Sequence, residues 1–356
     1  MEQHQRRKRY KGTHPRHFDE KYKEHNPDKY KDTIEKVISK GNTPAGMHLS
    51  IMVDEILNVL DIKPGEVGID CTFGYGGHSR KMLEKLNGTG HLFALDIDPI
   101  EIVNTTNRLR SFGFNEDILT VKHINFKDID LALDGKKVDF LLADLGVSSM
   151  QIDNPQRGFS YKTDGPLDLR LNPLEGVPAS TRLMELSKEE IEGMLIENSD
   201  EVYAKEIAQA ICRKKCFGEI KTTKELFHII EEALSFLPNK DKKEIIKKTS
   251  QRVFQAIRID VNSEFEVLYE FLEKLPFVLA PGARVAILTF HSGEDRLVKK
   301  AFKEYYNMGL FKEISKDVIR PSQEECFRNP RAKSTKLRYA IMNDEKNDSF
   351  CWNKKI

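Results

Sequence analysis

Hydrophobic and polar positions alternate along the first half of the chain in a way that predicts strands and helices in turn. Four short apolar runs have the length of buried strands, over residues 66–71, 91–95, 118–124 and 138–143. A helical period covers residues 78–86, and Pro99 lies near the start of another helix, where its missing N–H is harmless. This alternation predicts a parallel sheet with helices on both faces.

The alternation stops near residue 150. Residues 151–173 are rich in Gly, Pro, Asn and Asp and predict a loop, while residues 181–250 have a helical period and no clear strand. A helix over 263–275 with Ser263 as its cap, a strand over 284–290 and a last strand over 334–342 complete the pattern. The economical interpretation is one doubly wound α/β domain, built from residues 47–150 and 251–345. It carries residues 151–250 as a lid loop and helical insertion, between an extension with a linker (1–46) and a tail (346–356).

Composition restricts the class of protein. Of the 356 residues, 39% are hydrophobic and 32% are charged, which is typical of a soluble globular protein. No apolar run approaches the roughly 20 residues that cross a bilayer, and no apolar segment follows the basic start as in a secretory signal. Five scattered cysteines fit a reducing compartment, so we expect a cytoplasmic protein without membrane contact. Cys212 and Cys216 lack a second pair with metal-site spacing, and no metal is expected.

The net charge of +1 is unevenly distributed. Against one acid, Glu2, the first 16 residues carry six basic side chains: Arg6, Arg7, Lys8, Arg9, Lys11 and Arg16. Such a block is usually a solvated tail. The alternative is an arm that neutralises phosphates, and an RNA substrate argued on other grounds would favour it.

Glycines follow the first predicted strand, where residues 70–78 read DCTFGYGGH. The G-x-G-x-x-G fingerprint of dinucleotide-binding folds, counted from Gly74, would place its third glycine at Ser79. The fingerprint is therefore absent, and no pyrophosphate cradle is expected. Glycines at this turn still allow a ligand to approach the backbone closely.

Acidic residues end three of the predicted strands, at Asp70, Asp96 and Asp144. Ligands of open α/β sheets bind at these carboxyl ends. S-adenosylmethionine would present its amino-acid head to Asp70, its ribose hydroxyls to Asp96, its adenine to Phe126 and its methyl group near Asp144. The alternative for each acid is a cap on the next helix, but four aligned strand ends favour the cofactor.

Several longer stretches carry a resemblance to a known family. They are MHLSIMVDEIL (47–57), DCTFGYGGHS (70–79), ALDIDP (94–99), ADLGVSSMQID (143–153), RGFSYKTDGPLDLR (157–170), VFQAIRIDVNSE (253–264), LAPGARVAILTFHSGEDRLVK (279–299) and NPRAKSTKLR (329–338). In this order they resemble the bacterial 16S ribosomal RNA (cytosine-N4) methyltransferase H family, also called MraW. DLGVSS and RGFS…DGPLD are the most specific to it.

The resemblance implies a class I (Rossmann-like) S-adenosylmethionine-dependent methyltransferase fold with a helical substrate-recognition insertion. It also implies a substrate, a cytidine in the decoding centre of 16S rRNA in the small ribosomal subunit. Carried over by position, the implied cofactor contacts are Gly76, Gly77, His78, Asp96, Phe126, Asp144 and Gln151. Gly293 where Leu is usual, Met150 where Pro is usual, residues 197–202 without a glycine, and the basic extension indicate a variant branch.

Methyl transfer to an exocyclic amine requires positioning and an acceptor for the hydrogen on nitrogen. Asp144 is the first candidate for that acceptor. His291, at the end of the strand over 284–290, is the second, as a base or a ligand of the base edge. A histidine at such a place is more often a structural hydrogen bonder.

The loop over 157–170 has the aromatic and glycine-rich character of a lid. We expect Phe159 and Tyr161 to stack on the target cytosine, and Arg157 and Arg296 to contact the RNA. The alternative is a packed surface loop. A small basic patch in the insertion, Arg213, Lys214 and Lys215, has the alternative of a solvent face.

Two other classes stay open. One is a methyltransferase of the same fold that acts on a different RNA, on DNA or on a small-molecule amine. The other is a non-catalytic ribosome-assembly factor that retains the cofactor pocket. In every case a homodimer is compatible with the sequence.

Overall fold

The computed structural model describes residues 50–344, so the basic extension and the C-terminal tail lie outside the described residues. Its centre is a seven-stranded sheet with the order β3-β2-β1-β4-β5-β7-β6. The strands are β1 Val67–Asp70, β2 His91–Asp96, β3 Leu119–His123, β4 Val138–Asp144, β5 Leu279–Thr289, β6 Phe311–Ile314 and β7 Lys336–Met342. Neighbouring strands are parallel except β7, which runs antiparallel to β5 and β6. The predicted parallel sheet is confirmed, except that one strand, β7, runs in the opposite direction to its two neighbours.

Two details of the sheet differ from the sequence prediction. Strand β5 begins at Leu279 rather than at residue 284, because Val138 of β4 pairs with Leu279 while Phe140 pairs with Arg284. The extra residues of β5 form an irregularity that contains Pro281, which has no N–H for the ladder. Strand β6 was not predicted, because its four residues at the sheet edge carry only one fully buried side chain, Phe311.

Helices cover both faces of the sheet and form the insertion. They are α1 Val53–Leu60, α2 Gly77–Leu86, α3 Pro99–Ser111, α4 Ile129–Leu133, α5 Ser149–Asp153, α6 Ala179–Glu185, α7 Lys188–Ser199, α8 Ala204–Lys215, α9 Thr223–Ala233, α10 Lys242–Asn262, α11 Glu264–Val278, α12 Ser292–Asn307 and α13 Gln323–Arg328. One apolar core packs α1, α2 and α3 on the sheet, and the other packs α4, α11 and α12 on the opposite face. Among residues 50–344 we find no helix with both the length and the apolar character that a bilayer crossing requires.

Helices α6 to α10 share a hydrophobic core of their own, to which the lid loop contributes Phe159, Leu167 and Leu169. Helix α10 continues this core to Ile257, so the predicted boundary at residue 250 falls inside a helix. Asp200 ends α7 with a φ of 51°, the left-handed conformation that favours glycine.

Ser263 lies at the predicted N-cap of α11, but its side chain makes no cap hydrogen bond. It has a φ of 48° and also ends α10, and its own N–H donates to the carbonyls of Asp260 and Ile259. The residue therefore forms a sharp corner between two helices. The prediction of a side-chain cap was wrong.

Candidate active site

The loop after β1 is held by the carboxylate of Asp70, which is almost fully buried. It accepts hydrogen bonds from Ser79 Oγ (2.5 Å) and from the backbone N–H of Thr72 (3.1 Å). Thr72 Oγ1 in turn accepts a hydrogen bond from the N–H of Asp144 (2.7 Å) and so links the ends of β1 and β4. Burial raises the pKa of Asp70. Asp70 thus supports the site from within, and its direct contact with a cofactor stays a prediction.

Glycine is required in this loop for two different physical reasons. A Cβ on Gly77 would lie 1.9 Å from Ser50 Oγ, and a Cβ on Gly76 would lie 2.7 Å from Thr105 Cγ2, so protein packing requires both. Gly74 has a φ of 44°, yet a Cβ there would meet nothing closer than the Thr72 carbonyl at 3.8 Å. Open space beside the backbone is therefore found at Gly74.

Asp96 ends β2 beside Gly74. Its two oxygens accept hydrogen bonds from the N–H groups of Gly74 (2.6 Å) and Asp98 (2.9 Å). Each carboxylate oxygen has a second lone pair, so Asp96 can still accept two hydroxyl groups. Burial raises the pKa of Asp96 to about 6. Ile124 donates its N–H to the carbonyl of Asp96. This bond brings the turn after β3, which contains the half-buried Phe126, close to Asp96.

Asp98 connects the turn after β2, which also contains Asp96, to α5 and the lid loop. It was not among the residues predicted from the sequence. Its side chain caps α3 and also accepts hydrogen bonds from Gln151 Nε2 (3.0 Å) and Arg157 (2.6 Å). Gln151 itself belongs to a capping box with Ser148 at the start of α5. The signal for the cap was an Asp directly before Pro99, the usual N-terminal signature of a helix.

Tyr75 and Glu101 form a hydrogen-bonded pair beside the start of α3, with Glu101 buried and Tyr75 half-buried. Burial raises the pKa of Glu101 to about 7, with Asp98 and Asp96 adding to the effect and the hydrogen bond from Tyr75 opposing it. Burial also raises the pKa of the Tyr75 hydroxyl. The sequence carried no signal for this pair, since neither residue lies at a strand end.

Asp144 ends β4 in contact with His78. His78 Nε2 donates to the carbonyl of Ile51 (2.9 Å), and His78 Nδ1 lies 3.6 Å from Asp144 Oδ2. The other oxygen, Oδ1, has no hydrogen-bond partner among the described residues although it is buried. Burial raises the pKa of Asp144 to about 6 against the opposing field of His78, and Asp70 and Glu294 act in the same direction as burial. The site therefore contains one acceptor oxygen that the protein leaves unused.

His291 lies at the end of β5 and caps α12. Its Nδ1 accepts from the N–H of Glu294 (3.4 Å), and Glu294 accepts from the N–H of Phe290 (2.8 Å). His291 Nε2 lies 3.2 Å from Glu294 Oε1, outside the direction of a well-formed hydrogen bond. Burial alone would raise the pKa of Glu294, but His291, the Phe290 N–H and Arg258 together lower it. Glu294 thus lies in the first turn of α12, where the helix dipole favours an acid, and its side chain is buried.

Glu264, His291 and Glu294 each bring one ligand atom within 4.8 Å of the others. The Arg258 guanidinium already binds both oxygens of Glu264, at 2.8 and 3.0 Å. A positive charge is thus built into the cluster, and the expectation of no metal stays a prediction.

Gly293, one of the departures from the family pattern, faces an aromatic ring. A Cβ at this position would lie 2.5 Å from Phe265 Cζ and 3.2 Å from His291 Nδ1. The Phe265 ring packs edge-on to His291, with centroids 5.7 Å apart. In this chain the aromatic ring occupies the space that a side chain at 293 would need.

The predicted substrate contacts differ in accessibility. Arg157 and Phe159 are each 8% exposed: Arg157 is held by Asp98 and the carbonyls of Arg170 and Leu171, and Phe159 packs in the core of the insertion. Tyr161 stacks parallel on Phe227, with centroids 5.0 Å apart. These contacts agree with the alternative of a packed loop, because they bury the surfaces that RNA would touch. Direct contact of the three residues with substrate stays a prediction.

The remaining predicted contacts lie on helices. Arg296 is exposed in the first turn of α12 and makes no hydrogen bond or ion pair within residues 50–344. Of the basic patch, Lys215 turns inward and donates to the carbonyls of Leu183 and Leu186 at the end of α6. The patch therefore presents fewer free cations than the sequence indicated.

The chain matches the model of the MraW methylase family over residues 45–343. It is 65% identical over 341 residues to "Ribosomal RNA small subunit methyltransferase H 1" of Agathobacter rectalis, covering 95% of this chain and 98% of that protein. It is 38% identical over 313 residues to "Ribosomal RNA small subunit methyltransferase H" of Heliobacterium modesticaldum, covering 82% and 97%. Among solved structures, an S-adenosylmethionine-dependent O-methyltransferase of Thermotoga maritima gives a TM-score of 0.39 at 12% identity, over 83% of this chain and 66% of that chain.

The sheet order with its reversed final strand, and the acids that end β1, β2 and β4, define a class I methyltransferase with a Rossmann-like fold. The cofactor of this class is S-adenosylmethionine, and the residues fit it: Asp96 has free lone pairs, Gly74 borders open space and Asp144 Oδ1 lacks a partner. The chain belongs to the MraW methylase family.

Proposed function

We propose that this protein transfers a methyl group to N4 of a cytidine in the 16S rRNA of the small ribosomal subunit, at the decoding centre, and that it does so in the cytoplasm. The relatives named as small-subunit rRNA methyltransferases support the RNA substrate. The observation that carries the chemistry is the carboxylate of Asp144 at the end of β4, which is 26% exposed and has one oxygen, Oδ1, without a hydrogen-bond partner among the described residues.

Asp96, Phe126 and Gln151 would hold S-adenosylmethionine at the carboxyl ends of β1 and β2, and His78 would border it next to Asp144. When bound, the cofactor would supply a methyl group made electrophilic by its positively charged sulfur, and the sulfur would leave as a neutral thioether as its bond to the methyl group breaks. The four residues then serve to fix its position, since most of the barrier in such a transfer is removed by alignment.

Asp144 acts on the cytosine. The N4 lone pair of cytosine is delocalised into the ring, so the amine is a weak nucleophile. An N4–H that donates to the Asp144 carboxylate orients the amine and lets the nitrogen pyramidalise. After the N–C bond forms, the nitrogen carries a positive charge and releases a proton, which Asp144 accepts. A carboxyl with a pKa of about 6 is mostly ionised at neutral pH and can perform this step.

His291 and Glu294 follow β5, the strand next to β4, and would border the base on the side away from His78. We keep His291 as the second candidate for contact with the base, because its Nε2 makes no well-formed hydrogen bond in the described structure. Arg296 would contact a phosphate from the exposed side of α12.

The test is methyl transfer from labelled S-adenosylmethionine to small ribosomal subunits that lack the modification, followed by mass spectrometry of the nucleosides. We expect N4-methylcytidine in a decoding-centre fragment. Label on another nucleotide would show that the target nucleotide is a different one. Label on DNA or on a small amine alone would show that the substrate belongs to a different class. Absence of transfer with intact cofactor binding would favour a non-catalytic assembly factor.

A further inference from the structure

A short C-terminal segment runs along one edge of the active site. This segment, residues 319–334, is called here the rim segment and contains α13 and the turn Pro330–Ser334. It is attached at three places. Ile319 pairs with Leu337 of β7, Glu325 accepts the N–H of Met52 (2.8 Å), and Arg331 pairs with Asp153 of α5 (2.6 Å). Its backbone is thus held before any ligand binds.

The attachments place the rim segment near Asp144. Met52 directly follows Ile51, whose carbonyl holds His78 Nε2, and His78 Nδ1 contacts Asp144. Helix α5, to which Arg331 binds, also carries Gln151 of the cofactor site. Two independent sets of contacts therefore connect the rim segment to the place of methyl transfer.

Phe327 projects from the rim segment into solvent, with 89% of its surface exposed. One exposed apolar residue is ordinary by itself. Its surroundings distinguish it, because the rim segment carries four cations against Glu324 and Glu325. Arg328 pairs with Glu324 and Arg331 with Asp153, which leaves Arg320 and Lys333 as the cations without an acidic partner among the described residues. An aromatic ring among cations is the composition that single-stranded nucleic acid requires: the ring stacks on a base, and the cations approach phosphates.

We propose that Phe327 stacks on an unpaired base close to the target nucleotide, and that Arg320 and Lys333 contact the adjoining phosphates. This inference rests on the proposed RNA substrate and assigns one residue that would bind the RNA outside the target nucleotide. A second copy of the chain is the competing occupant. Phe327 is the only large hydrophobic residue of the rim segment with this exposure, whereas a stable dimer contact buries roughly 800 Å² on each partner around an apolar centre.

The experiment compares Phe327→Ala, Phe327→Leu and Phe327→Trp in the full-length chain with unmodified small subunits as substrate. Phe277→Ala is the control, because Phe277 is also an exposed aromatic residue (52%) but lies at the end of α11, beside the start of β5 and so at the opposite edge of the sheet from Asp144. We expect Phe327→Ala to raise KM about tenfold and to change kcat less than about twofold, in line with the loss of one stacked base. Phe327→Trp should retain the wild-type KM, and Phe327→Leu should resemble Ala.

A binding measurement separates stacking from turnover. A single-stranded RNA oligonucleotide with 2-aminopurine beside its cytidine is titrated with each variant, and we expect fluorescence quenching by the wild type and by Phe327→Trp but not by Phe327→Ala. Failure of the proposed function would show as no transfer by any variant, while the quenching still decides the stacking.

Three results would overturn the inference. One is an unchanged KM together with unchanged quenching in Phe327→Ala. Another is an equal loss in Phe277→Ala, since the effect would then not belong to the rim segment. The third is a wild-type dimer that Phe327→Ala converts to monomer in sedimentation, which would assign the ring to a second copy.

Discussion

The guanidinium of Arg157 lies 2.6 Å from the carboxylate of Asp98, and both side chains are more than nine-tenths buried. The pair joins the lid loop to the residue that caps α3, two residues after Asp96. An ion pair this deeply buried need not add net stability, but removal of one partner leaves a charge without compensation.

We therefore expect Arg157→Met to lower the free energy of unfolding by about 3–5 kcal/mol. Asp98→Asn should be similarly costly although Asn can still cap the helix. The double variant should recover part of the loss, because no charge is then left alone. Urea denaturation of the four proteins measures the coupling. Arg110→Met, which breaks an exposed pair with Glu116, is the control and should change stability by less than about 1 kcal/mol. If the stability losses of the two single variants simply add in the double variant, Arg157 and Asp98 do not stabilise the fold as a pair.

Asp144→Ala should retain part of its affinity for S-adenosylhomocysteine and lose about 10²–10⁴ of the transfer rate, because the acceptor for the amine hydrogen is removed. Calorimetric binding of S-adenosylhomocysteine and single-turnover transfer to subunits measure the two effects separately. His291→Ala, in the same assays, ranks the second candidate. Turnover like that of the wild type in Asp144→Ala would exclude Asp144 from the chemistry.

The pH dependence of kcat/KM should show an acidic limb near pH 6. The raised pKa of Asp144 means that the carboxyl becomes protonated as the pH falls through about 6, and a protonated carboxyl cannot accept the amine proton. Activity should fall about tenfold per pH unit below that value. Asp96 also has a pKa of about 6, but its protonation should weaken cofactor binding. S-adenosylhomocysteine affinity measured over the same pH range distinguishes the two residues. A flat profile between pH 5 and 8 contradicts the assignment.

Gly77→Ala should weaken cofactor binding and lower Tm, because the new methyl group would collide with Ser50 Oγ. The same change in a Ser50→Ala background should be tolerated much better, since the nearest remaining atom, Ser50 Cβ, is 3.3 Å away. Gly74→Ala is the contrast: no protein atom blocks it, so Ser50→Ala should not restore its binding. Thermal shift and cofactor affinity are the measurements. Absence of rescue at Gly77 would mean that the cofactor, and not Ser50, requires the glycine.

Deletion of residues 1–40 should weaken binding of the small subunit and reduce its salt dependence. The deleted stretch carries twelve Lys and Arg side chains, six of them within residues 1–16, and these would release counterions from RNA, at about 0.7–0.9 in the logarithmic slope for each phosphate contact. Filter binding at several salt concentrations gives the slope. A full-length variant with the six basic residues of positions 1–16 changed to Ser separates the charge of that block from the length of the segment. An unchanged slope would return the segment to a solvated tail.

The sequence predicted the sheet better than it predicted the site network. Buried parallel strands are apolar runs and are visible locally, whereas β6 is short and half exposed. The acids at strand ends were also visible, because the position of a strand end follows from the run before it. Asp98 lies 53 positions before Gln151 and 59 positions before Arg157, so only the folded chain reveals that they meet. Phe159 shows a second limit, since an aromatic residue in a loop can pack in a core or stack on a base, and the sequence does not distinguish the two.

Ser50, Ile51 and Met52 each contact the site or its edge: Ser50 packs against Gly77, Ile51 holds His78, and Met52 binds Glu325 of the rim segment. The chain thus enters the described fold at the mouth of the reaction centre. Because these three residues are consecutive, a shift of residues 50–52 would move the start of α2, His78 and the rim segment together. One short stretch of backbone therefore mechanically links both sides of the reaction centre.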